Sequence, residues 1–172
     1  MYLLFGPLPL QAEYYDTSLL TIFSKILPRI VALSSLAPKH GETLGVCIVH
    51  QDVDAPAAEQ FATLLKRTAE AHSVESIQTD FDHISACRQY PLVFLFDASP
   101  ETVSKALSEL KSPQPLVAAY DTRMLSEGAD ISLFVGRSVK PYLNLRSLKA
   151  KHIRLDALLL RVSKIYGQEP VQ

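Results

Sequence analysis

Apolar positions along this chain recur in two rhythms, one of helical period and one of short β-branched runs, and the two alternate from end to end. From Asp16 to Ser35, Leu19, Phe23, Ile26, Ile30 and Leu33 return at helical spacing behind Asp16 or Thr17 as a cap. Pro28 is expected to kink this helix or to end its first half. The loop "PKHGET" then leads into "LGVCIVH", the pattern of a buried strand. "APAAEQFATLLKRTAEAH" predicts the clearest helix, with Pro56 near its first turn, Phe61, Leu64 and Leu65 facing inward, and His72 near its negative dipole end. "VESIQTD" reads as a modest strand and "YPLVFLFD" as a strongly buried one. "SPETVSKALSELK" is a helix with Ser99 as N-cap and Pro100 at its first position. "PLVAAYD" is another buried strand, and "TRMLSEGA" a short helix or turn ending near Gly128. The chain closes with strands "ISLFV" and "VKPYLNL" and a helix in "LDALLLRVSKIY", where Leu155, Leu158, Leu159, Val162 and Ile165 share one side.

Alternating helices and short apolar strands predict an α/β fold of three layers, a mostly parallel sheet with helices on both faces. "GRS" between the last two strands is too short for a parallel crossover, so an antiparallel C-terminal edge is expected, with Pro141 marking an edge strand. The pattern divides into a single domain over residues 13–168, a leading segment 1–12 and a tail 169–172. The leading "MYLLFGPLPLQAE" is apolar but lacks a basic start and holds Pro7 and Pro9. It reads either as an export-signal remnant with Ala12 near the cleavage point or as a frayed N-terminus, with a periplasmic chain in the first case and a cytoplasmic one open in the second.

Composition narrows the function classes. The 172 residues are 48% hydrophobic and 20% charged, enough apolar surface for a core that needs no metal or staple. The net charge of -1 and the lack of any like-charge run argue against a nucleic-acid partner. No G-x-S-x-G elbow, phosphate loop or G-x-G-x-x-G is present, and the five histidines have no metal-ligand spacing, so catalysis has no positive support and no metal or other cofactor is expected.

Ligands of open α/β sheets sit beyond the carboxyl ends of the strands. Asp52 and Asp54, Asp97, and Asp121 all follow predicted strands, and Asp97 with Asp121 forms a candidate ligand pocket. As a set, Asp52, Asp97 and Asp121 would suit Mg²⁺ in a receiver-like domain, but no lysine follows at the end of the last parallel strand, and capping is the commoner use of such carboxylates, as Asp97 would serve near Pro100. Cys47 and Cys87 leave two readings open: a bridge contributing about 3 to 4 kcal/mol on the chain-entropy model, or two buried thiols. Arg146, Lys149, Lys151, His152 and Arg154 form a basic patch suited to an acidic partner or lipid headgroups, or else the solvated face of a turn that Asn144 caps.

The order of these pieces, from about Tyr14 to Tyr166, resembles the YfiR-like (YfiR/HmsC) family of bacterial periplasmic regulatory proteins. The features that carry the likeness are a Cys in "LGVCIVH", a Cys before the second buried strand in "CRQYPLVFLF", "SEGADISLFV", Gly136-Arg137, a strand ending at Asn144, and "LDALLLRVSKIY". The chain departs from the pattern in having no Trp-Pro after the first helix, a single Gly128 in place of two glycines, and no second cysteine pair. The resemblance implies export and a Cys47–Cys87 disulfide. It also implies a non-enzymatic role: restraining an inner-membrane signalling protein, a diguanylate cyclase or a histidine kinase, and so controlling cyclic-di-GMP and biofilm formation. Arg137, Arg146, Lys149, Arg154 and Arg161 are the candidate partner-binding residues on the closing strand and helix. A homodimer and a small-molecule-binding sensor domain are the further expectations.

Overall fold

The computed structural model describes residues 15–70, 72–110 and 114–168, so the leading segment 1–12 and the tail 169–172 lie outside the described residues. Seven strands form one sheet: β1 (Leu44–Val49), β2 (Val74–Thr79), β3 (Leu92–Leu95), β4 (Leu116–Ala119), β5 (Ile131–Val135), β6 (Val139–Leu143) and β7 (Lys164–Ile165). Their order is β2-β1-β3-β4-β5-β6-β7. The first five strands are parallel, β5 and β6 form the expected antiparallel hairpin, and β7 runs parallel to β6. Pro141 pairs with Leu133 of β5, while β7 reaches only Tyr142 and Leu143. The residue without an N–H therefore stays where β6 is still an edge.

Helices α1 (Thr17–Ala32), α2 (Ala55–Thr68), α3 (Pro100–Glu109), α4 (Leu145–Ala150) and α5 (Ala157–Val162) cover the sheet, with 3₁₀ segments at Asp52–Asp54, Phe81–Gln89 and Thr122–Leu125. Two apolar clusters fill the layers. On one face Leu20, Phe23 and Leu27 of α1, Phe61 and Leu65 of α2, and Leu148 and Leu159 near the C-terminus pack on Val46, Ile48, Phe94 and Phe96. On the other, Val103 and Ala106 of α3 with Phe81, Ile84 and Met124 pack on Val49, Val93, Leu95 and Val117. Alternate residues of β1 and β3 thus serve opposite cores, which explains why these strands read as unbroken apolar runs.

Four expectations are corrected. Pro28 does not end the first half of α1, which runs on to Ala32. The carbonyl that its missing N–H leaves unpaired, Ser24 O, accepts a bond from Thr68 Oγ1 of α2 at 3.0 Å, so a neighbouring helix supplies the lost donor. The second helix stops at Thr68, leaving His72 beyond it. Asp97 does not cap α3; the Ser99 hydroxyl accepts from the Thr102 N–H instead. The closing helix is only six residues long, because Lys164 and Ile165 join the sheet as β7. Of its apolar residues Leu159 is buried, whereas Leu158 and Val162 are 55% and 52% exposed.

Candidate functional site

At the end of β6 the chain leaves the sheet through Asn144, a residue that serves three elements at once. Its Oδ1 accepts from the Ser147 N–H and starts α4, as a cap should. Its Nδ2 donates to the carbonyls of Leu125 and Ala129, tying the cap to the turn before β5. Asp130 stands beside it with 0% exposure. Its carboxylate accepts from the Val117 N–H of β4 at 2.7 Å, from Ser147 Oγ, and from Lys151 Nζ at the end of α4. Lys151 also donates to Pro115 O. Lys151 is thus not a member of an exposed basic patch; its side chain is 14% exposed and neutralises a buried carboxylate. No spacing rule links Asp130 to Lys151, so this network was not visible in sequence order.

The network fixes α4, and α4 with α5 frames a groove. Leu145, Leu148, Ile153, Leu155 and Leu160 line it, Lys149, His152 and Arg154 border it, and it encloses about 590 Å³. His152 turns the chain there with φ of 57°, a left-handed conformation that non-glycine residues seldom adopt. The strand-like pairing of Ser34 with Leu155 and the bond from the Arg154 N–H to Ser35 Oγ seat the groove on the end of α1. Apolar walls with cations and no carboxylate on the rim suit an amphipathic, acidic protein segment.

Of the five candidate partner residues, the structure brings Lys149 and Arg154 together at this groove. Arg146 borders a separate hollow with Tyr166 and Gly167. Arg161 is exposed on α5. Arg137 sits at the β5–β6 turn, the length of β6 away from Asn144, about 15 Å at ordinary strand rise. The five are therefore not one patch.

Asp97 and Asp121 share an arginine, whereas Asp52 is exposed in the 3₁₀ segment Asp52–Asp54. Arg123 bonds Asp121 through Nε and Nη2 at 2.8 and 2.6 Å and approaches Asp97 at 3.5 Å, and Asp121 also caps the 3₁₀ turn at Thr122. Among the described residues no three His, Cys, Asp or Glu side chains converge on a metal position. Arg123 holds Asp121 below the usual carboxylate range. Asp54, 3% exposed, is pushed the other way by desolvation, which outweighs the hydrogen bonds from the Tyr15 hydroxyl and the Gln51 backbone.

A folded pKa above the unfolded value means that Asp54 favours folding most below 3.8 and loses that contribution as pH rises through its folded pKa. Asp54→Asn is therefore expected to gain stability relative to wild type as pH rises from below 3.8 to neutrality, measured by urea unfolding at each pH. A constant difference would show that the carboxylate is solvated in the folded protein.

Cys47 and Cys87 are joined in a disulfide with their Cα atoms 5.4 Å apart, pinning the Phe81–Gln89 segment to β1 on the face opposite the groove. A YfiR/HmsC-like family model matches residues 24–164, which takes in both cysteines, the β5–β6 hairpin and both closing helices. The chain belongs to the YfiR/HmsC-like family. That family is one of regulatory rather than catalytic proteins, and membership suggests a periplasmic regulator, a setting in which a disulfide persists. No helix among the described residues is long and apolar enough to cross a membrane. No curated protein matches the chain.

Two solved structures share the fold of this YfiR/HmsC-like chain. One is the ABC domain in complex with L-Trp from Streptococcus pneumonia, with a TM-score of 0.55 and 11% identity over 87% of this chain and 60% of that one. The other is a conserved domain protein from Vibrio cholerae O1 biovar eltor, with a TM-score of 0.59 and 11% identity over 87% of this chain and 59% of that one. The chain spans about three fifths of the length of each, and at such identity the likeness is one of fold.

Proposed function

We propose that this protein is a non-enzymatic periplasmic regulator that docks its α4–α5 groove on a membrane signalling protein, a diguanylate cyclase or a histidine kinase, and restrains it. The observation that carries the reading is the groove itself: five apolar side chains, the exposed Leu160 among them, bordered by Lys149, His152 and Arg154. Large apolar side chains left in water next to a hollow are the mark of a surface that a partner covers. Restraint follows if the groove fits one conformation of the partner better than another, and its strength equals that difference in affinity. The disulfide lies across the sheet from the groove, so reduction acts on the regulator's fold and not on a contact with the partner.

In a strain lacking its own copy, the wild-type protein is expected to hold cyclic-di-GMP low. The double variant Leu160→Asp, Lys149→Glu is expected to leave cyclic-di-GMP high while its thermal midpoint stays close to wild type, because both positions are exposed. A folded double variant that restrains cyclic-di-GMP as well as wild type would remove the groove from the interface.

A further inference from the structure

The strand order places a topological switch point between β1 and β3, because the chain passes from β1 to β2 on one side and returns to β3 on the other. In open α/β sheets the crevice beyond the carboxyl ends of two such strands is where small ligands bind. Here the crevice is filled by the chain's own Tyr15. Its ring meets Phe96 edge-on at 4.7 Å and Tyr120 edge-on at 4.8 Å between centroids. Its hydroxyl accepts from the Asp97 N–H at 3.1 Å and donates to the carboxylate of Asp54, a buried group five residues past the end of β1. Tyr120 closes the same corner, its hydroxyl accepting from the Asp16 N–H at 3.0 Å.

This is a complete recognition site for a phenol: two aromatic edges for the ring, a buried acceptor for the hydroxyl proton and a backbone donor for the hydroxyl oxygen. A buried carboxylate is a costly way to hold a side chain in place when an apolar neighbour would serve. Its presence fits a site selected for a hydroxyl that must be distinguished from plain hydrocarbon. Tyr15 is also placed to leave. It lies outside α1, whose first turn is capped by the Asp16 side chain through the Ser18 and Leu19 N–H groups.

We propose that the crevice at the carboxyl ends of β1 and β3 is a binding site for a small para-hydroxyphenyl compound, and that Tyr15 is its built-in occupant, displaced when the free compound binds. The tethered ring competes at an effective concentration in the millimolar range, so removing it exposes a tighter site than the wild type shows. The inference stands apart from the groove at α4 and α5, and neither depends on the other.

The probe is p-cresol, with toluene as the compound of the same shape that lacks the hydroxyl. Tyr15→Ala is expected to be stabilised saturably by p-cresol in thermal unfolding, with toluene binding roughly 10- to 100-fold more weakly, since a hydrogen bond to a charged group contributes about 1.5 to 3 kcal/mol. Equal binding of the two compounds, or no binding of p-cresol, would overturn the proposal. Should the variant fail to fold, the wild type answers the question through its backbone amide spectrum. Titration with p-cresol, but not toluene, is expected to shift the Asp97 and Phe96 amides together with those of Asp16 and Ser18. Amides that stay unmoved at saturating p-cresol would overturn it equally.

Discussion

Asp130→Ala is expected to lower the unfolding free energy by about 3 to 5 kcal/mol, the cost of leaving one member of a buried ion pair without its partner. The loss is large because Asp130 is a hub. Its removal takes the acceptor from the Val117 N–H and the counter-charge from the Lys151 ammonium, and leaves the Ser147 hydroxyl only Gly128 O, at a position with 0% exposure. Lys151→Met is expected to cost a similar amount by stranding the carboxylate. In the double variant Asp130→Ala, Lys151→Met, no charge remains buried, so its loss should be well below the sum of the two single losses. Urea unfolding of the four proteins checks this. Single losses below about 1 kcal/mol would mean that the pair behaves like a solvated surface bridge.

Opening the Cys47–Cys87 disulfide is expected to cost about 3 to 4 kcal/mol. The bridge closes a loop across a sequence separation of 40, and the chain-entropy model assigns that amount to a loop of such length. Both sulfurs are fully buried, so alanine at the two positions removes little else of comparable size. The loss should be local before it is global: amides of Phe81–Gln89 are expected to exchange faster in the reduced protein, while those of α4 and α5 hold. Hydrogen exchange with and without reductant distinguishes this from a uniform loosening. Faster exchange throughout α4 and α5 would mean that the disulfide supports the groove directly.

Much of the fold was legible in the sequence because its parts are local. Ser99-Pro100 states the start of α3 in two residues, Asn144 states the start of α4, and "GRS" leaves room for nothing but a hairpin. What could not be read depends on groups far apart in the chain. Pro28 looks like a helix breaker until Thr68, 40 positions later, supplies the missing donor. The closing "LDALLLRVSKIY" carries helical spacing throughout, yet pairing of Lys164 and Ile165 with Tyr142 and Leu143 outweighs that local preference and shortens the helix.

The candidate site was legible in its chemistry and not in its geometry. The basic residues after Asn144 and the leucines that follow pointed to the right part of the chain. Lys151 turned inward because Asp130 waits beneath α4, and Arg137 fell at the far end of β6 because the hairpin carries it there. Tyr15 gave no signal at all. Its role comes from Asp54 and Asp97, which reach it from two different strand ends.

Photo-crosslinking in intact cells tests whether the α4–α5 groove is the face that a membrane signalling protein covers. A photoreactive residue replaces Leu160 in the groove and, as a control, Glu75 on the exposed edge of β2. An adduct with an inner-membrane diguanylate cyclase or histidine kinase is expected from position 160 and none from position 75. Adducts of equal yield from both positions, or the absence of any membrane signalling protein from those formed at position 160, would contradict it.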